Sequence, residues 1–166
     1  MTLHERSSAG RATGGPSGHV VGRLGTGEQL VLWALRQRLR DGEPASPVLV
    51  RGFRLAFGLA GLEPALAAFE DLFRTLDERA AGPGPWLLPL RSACVSARER
   101  AVLALVASAQ AGEGPWLAVR AGALAGPADA AGLAAATLAF ARALREAGLV
   151  LPPLAETPGP VRAALH

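Results

Sequence analysis

Helix starts and stops punctuate this chain from residue 26 to residue 148 with few competing strand signals, so the sequence admits a set of packed helices and little else. Thr26 and Gln29 have the T-x-x-Q spacing of a capping box, in which the hydroxyl accepts an N3 backbone N–H and the amide reaches back to the cap. The first helix is predicted from about Gly27 to Arg40, stopped by Asp41-Gly42. Ser46 before Pro47 sets a good N-cap ahead of a proline at N1, where its missing N–H costs nothing. The helix it opens carries Leu49, Val50, Phe53 and Phe57, with Gly58 as a left-handed terminator.

Pro64 opens an amphipathic segment in which Leu66, Phe69, Leu72, Phe73 and Leu76 follow three-four spacing, while Glu70, Asp71, Arg74, Asp77 and Glu78 fall mainly elsewhere. Gly82-Pro83-Gly84-Pro85 breaks the chain, and Trp86 to Leu90, with Pro89 opposing regular structure, reads as a strap across the helices. Ser96 and Glu99 form a second capping box, and the almost wholly apolar run Ala101 to Ala111 behind it predicts the most buried helix. A short helix from Trp116 to Leu124 and a last one from Gly126-Pro127 to Gly148 follow, after which Leu149, Val150 and Leu151 tuck back onto the core. The expected fold is all-α, a compact bundle of five to six helices with an irregular Pro/Gly-rich strap around residues 82–95. Residues 26–151 form the single helical domain, 1–25 a disordered Gly/Ser/Arg-rich arm and 152–166 a flexible C-terminal tail.

Missing residue types narrow the chemistry. All 17 basic residues are arginines; Lys and Tyr are absent, which removes a P-loop lysine, a Schiff-base lysine and a tyrosine acid. The histidines, His4, His19 and His166, all lie in the arm or tail, so the folded body has no imidazole for general-base work or zinc. The carboxylate neighbours Glu70-Asp71 and Asp77-Glu78 point about 100° apart on a helix, opposite its apolar stripe, and read as a solvated face. No catalytic residue, metal site or cofactor is assigned, and the chain is expected not to be an enzyme.

The net charge is +3, and residues 1–25 hold Arg6, Arg11 and Arg23 against Glu5. That leaves 14 arginines against 13 acids in the body, too near neutrality to demand a nucleic-acid partner. A single cysteine and no secretory h-region fit a cytoplasmic protein. The longest apolar runs, about a dozen residues, fall short of the ~18 or more that a membrane helix needs.

Cys94, just before the Ser96 helix, is a candidate redox-sensitive thiol acidified by the helix N-terminus and by Arg91 or Arg98, although free cysteine is more often a small buried residue. Arg36 and Arg40, Arg51 and Arg54, and Arg142 and Arg145 share faces that can gather anions. Trp86 and Trp116, each after a proline in a turn, are the candidate interface aromatics. The run Ser96-Ala97-Arg98-Glu99-Arg100-Ala101-Val102-Leu103-Ala104-Leu105-Val106-Ala107 resembles the opening helix of LuxR-type helix-turn-helix domains, over about a dozen residues. The resemblance implies a nucleic-acid-associated regulator using residues 96–124, with Arg91, Arg98, Arg100 and Arg120 as contacts. The polar recognition helix such domains carry is absent, because the segment from Gln110 is Gly-, Ala- and Leu-rich.

The residues favour a helical protein–protein interaction or regulatory module, with a protein partner or a homodimer. Nucleic acid ranks below protein as a partner, no membrane is expected, and a hydrophobic small-molecule binder is the third reading.

Overall fold

The structure, a computed structural model, describes residues 20–78 and 86–153. Five α-helices lie among them: α1 (Thr26–Asp41), α2 (Pro47–Glu78), α3 (Ala97–Ala111), α4 (Gly114–Ala125) and α5 (Ala130–Glu146). α3 is the central element, buried at every position from Val102 to Gln110. α5 packs most extensively on α2 and also along α4 and α3, and α1 lies against α2 and α3.

The Ser96 capping box forms as its spacing predicts. Glu99 N–H donates to Ser96 Oγ at 3.1 Å, and Ser96 N–H donates to Glu99 Oε2 at 2.7 Å. Gly112, at φ 75°, closes the same helix in the left-handed region. At α1 the cap lies one residue earlier than the T-x-x-Q spacing predicts. Gly25 is the N-cap, Glu28 Oε2 accepts its N–H at 2.8 Å, and the Gln29 amide donates instead to Leu24 O. An acid at N3 is the stronger acceptor and also meets the positive end of the helix, so Glu28 outcompetes Gln29.

Gly58 breaks α2 where a terminator was expected, but the chain resumes helix at once instead of entering a loop, and Pro64 falls inside the second half rather than opening it. Gly58 has φ 68° and ψ −176°, a region essentially reserved for glycine, and a Cβ there would meet nothing within 4 Å. Gly58→Ala is therefore expected to destabilise by about 1–3 kcal/mol through the backbone alone. The control is Gly132→Ala on exposed, ordinary helix, expected to stabilise by up to about 1 kcal/mol; urea denaturation of both checks the pair.

The core is an aromatic cluster where α2 meets α5. Phe69 lies between Phe53 and Phe140, with ring centroids 5.2 and 5.5 Å away, and all three are fully buried. Phe73 extends the cluster to Trp86 at 5.7 Å. α1 approaches α2 at Gly52, where the Trp33 indole occupies the space a side chain would need.

Two buried polar side chains of α3 hold irregular chain at its ends. At the C-terminal end, Gln110 donates to Leu149 O at 2.9 Å and accepts from Leu151 N–H at 2.8 Å, which buries Leu151 beside Gly27 of α1. At the other end Glu99 holds residues 86–96, which run without regular secondary structure; residues 82–85 of the predicted strap lie outside the described residues. The expected arm boundary at residue 25 is corrected. Val21 N–H donates to Ala93 O at 2.8 Å and Val20 bridges Cys94, so residues 20–25 are docked onto that segment.

Candidate functional site

The densest polar cluster is a buried ion pair between α1 and α3. Arg36 and Glu99, 3 % and 0 % exposed, meet in a bidentate pair, Nε to Oε1 at 2.8 Å and Nη2 to Oε2 at 2.9 Å. The remaining guanidinium hydrogens reach Ser92 O at 2.8 Å and Cys94 O at 2.6 Å. Glu99 Oε1 also accepts Leu88 N–H at 3.0 Å. Burial pushes the Glu99 carboxyl up, but hydrogen bonds from Arg36 and from the Ser96 and Leu88 amides, with the charge of Arg36, bring it below the ordinary carboxylate range. The cluster is enclosed and its acceptors are engaged by protein donors. It locks residues 86–96 to the bundle and offers no group to a substrate.

The paired acids of α2, Glu70-Asp71 and Asp77-Glu78, are likewise engaged. Glu70 pairs with Arg38 at 2.8 Å and accepts Ala45 N–H at 3.0 Å, Asp71 and Glu78 flank Arg74, and Asp77 accepts the Trp86 indole N–H at 3.0 Å. Among the described residues no three His, Cys, Asp or Glu side chains gather as a metal site, and His4, His19 and His166 lie outside them.

The sequence candidates separate. Cys94 is exposed, which corrects its reading as a small buried residue; its backbone rather than its thiol is used, by Val20 and Arg36. Trp86 is 7 % exposed with its N–H committed and Arg98 stacked 5.8 Å above it, so it belongs to the core and not to an interface. Trp116, 53 % exposed on α4, is the aromatic that does reach the surface. Arg36 and Arg40 make no anion cluster, since Arg36 is buried and Arg40 pairs with Asp41. Arg91 is exposed on the 86–96 segment, Arg98 and Arg100 lie in the first turn of α3, and Arg120 lines a cleft beside α4, so the four are spread over three elements.

α2 is long and apolar enough by composition to cross a membrane, contrary to the expectation from its separate runs, because the two predicted helices fuse through Gly58. That glycine interrupts the helical ladder in the middle of the element.

The elbow at Gly58 has the most exposed large apolar side chains among the described residues, Leu55 at 82 % and Leu59 at 70 %, with Val48 seven residues before Leu55. Beside them is a groove of about 300 Å³ lined by Phe57, Ala60, Gly61, Pro64, Ala143 and Glu146. Arg51 and Arg54 lie before the break, Glu63 and Glu146 on the far side, all exposed and without an ion-pair partner among the described residues. Nothing in the sequence marked this elbow as a surface, because Leu55 and Leu59 read as two more helical leucines. No family model, curated protein or solved structure matches the chain.

Proposed function

We propose that this chain is a non-enzymatic helical interaction module that pairs with a second copy of itself through the α2 elbow. The observation that carries the reading is the exposed pair Leu55 and Leu59 next to a groove on the same elbow. A two-fold interface needs one surface that is complementary to itself, and a projecting leucine pair beside a groove meets that need. The charges support the same pairing: an antiparallel two-fold sets Arg51 and Arg54 of one copy opposite Glu63 and Glu146 of the other.

Sedimentation velocity over a concentration series tests it. The wild-type chain is expected to reach a dimer, and Leu55→Ser with Leu59→Ser to leave a monomer with unchanged circular dichroism. Arg51→Glu with Arg54→Glu should weaken the dimer, and adding Glu63→Arg with Glu146→Arg should restore it. A monomeric wild type, or a dimer indifferent to the leucine variant, would overturn the reading. The same runs at low and high salt report any retained nucleic acid, the mark of the competing regulatory reading.

A further inference from the structure

α4 has one charged residue in twelve, Arg120, and its outer side is apolar. Leu117 and Ala121 turn inward and are buried. Trp116, Val119 and Ala123 recur on the other side at three-four spacing, with Trp116 at 53 % and Val119 at 62 % exposure. The outer face of a surface helix ordinarily carries its charged and polar residues, so this one has the composition of a covered face. Along its edge a cleft of about 210 Å³ separates α4 from α3. Ala104, Ala107 and Ser108 line the cleft from α3, and Trp116 and Arg120 line it from α4. The two alanines leave the space, since larger side chains there would fill it.

The course of the chain after α5 decides what reaches this place. Gln110 holds Leu149 O and Leu151 N–H, and Pro153, two residues on, is itself part of the cleft wall. The clamp thus delivers the chain to the cleft with Leu154 as the next residue and Val161 and Leu165 beyond it. An extended chain spans about 3.3 Å per residue, so residues 154–161 cover about 26 Å, against about 18 Å for the twelve residues of α4. Residues 1–19, by contrast, join the structure at Val20, which bridges Cys94 ahead of α3, at the end opposite Gln110.

We propose that the α3/α4 cleft and the outer face of α4 are the docking site of this chain's own residues 154–166. The Leu154 side chain enters the cleft beside the Trp116 indole, and Val161 covers the face farther along α4. The size agrees: a cavity of about 150 Å³ holds benzene, and a leucine side chain is no larger. Tethering supplies the affinity. A segment joined at Pro153 meets the cleft at an effective concentration on the order of millimolar, so a few apolar contacts suffice where a separate peptide would stay free. Any partner that uses the α4 face has first to displace the tail. The inference is separate from the elbow dimer, because none of these residues lines the elbow groove.

Fluorine NMR of the full chain labelled with 5-fluorotryptophan tests it. Trp33, Trp86 and Trp116 give three resonances, assigned by Trp→Phe variants, and the shift of each between light and heavy water reports its exposure, with buried Trp86 as the internal standard. The Trp116 shift is expected to lie near that of Trp86 in the wild type and to rise about twofold or more in Leu154→Asp. Val119→Asp, on the exposed face, should release the tail in the same way. Neither substitution touches the core, and unchanged Trp33 and Trp86 resonances establish that both variants are folded. A wild-type Trp116 already fully shifted by solvent, or one unmoved by Leu154→Asp, would overturn the proposal. So would a cover that is lost on dilution or in the Leu55→Ser/Leu59→Ser variant, since it would then belong to a second copy.

Discussion

Glu99→Ala is expected to destabilise the protein by about 3–5 kcal/mol, the cost of stranding a buried partner charge. The substitution leaves the Arg36 guanidinium enclosed with only the Ser92 and Cys94 carbonyls, removes the acceptor of Leu88 N–H, and dismantles half of the α3 cap. Arg36→Met leaves the Glu99 carboxylate buried with backbone donors alone and should cost a similar amount. The Arg36→Met/Glu99→Leu double variant is expected to lose less than the two single losses added together, since neither charge is then stranded. Urea denaturation of the four proteins measures the coupling directly. Linkage to pH has a definite sign. Because the Glu99 carboxyl is held below its unfolded value of 4.5, its contribution is fully present above about pH 4.5. It is lost as the pH falls through the lower, folded value, and Glu99→Ala should flatten that acid limb.

Phe69→Ala carries the second large effect, about 3–5 kcal/mol. Its ring contacts Phe53, Phe73 and Phe140, so the truncation opens a cavity at the junction of α2 and α5 that no single neighbour can fill. Leu55→Ala on the same helix, at 82 % exposure, should change monomer stability by less than about 0.5 kcal/mol. Both were apolar positions in the sequence; only packing separates them. Chemical denaturation at low protein concentration compares the two.

Much of the bundle was legible because helices are encoded at short range. The Ser96–Glu99 box, Gly42 and Gly112 as helix ends, and the apolar stripe through Phe69, Leu72, Phe73 and Leu76 all act within a few residues of chain. The errors lie where local signals compete. Thr26-x-x-Gln29 and Gly25-x-x-Glu28 overlap by one residue, and the acid won; Gly58 and Pro64 each signalled an end or a start, and the chain needed only the glycine.

The candidate sites were far less legible. Arg36 was visible as an arginine sharing a helix face with Arg40 and Glu99 as a cap residue, but their pairing spans 63 residues of sequence. No local pattern reports which helix a guanidinium will face. Trp86 and Trp116 have the same Pro-Trp context, yet one is sealed by Asp77 and Phe73 and the other stands open on α4. Ser108 was one of two polar breaks in an apolar run, and only the placement of α4 across α3 turns it into the wall of a cleft.

The amino-acid sequence by itself determined that this chain is helical, where its helices begin and end to within a few residues, and which residue types are missing from its chemistry. Those properties follow from backbone hydrogen bonding, capping and side-chain identity, all of them local. The tertiary structure alone decided which charge is buried, which leucines project at an elbow, and which alanines leave a cleft. Burial and pairing depend on what a second helix brings to the same place, and the order of residues along one helix does not contain that.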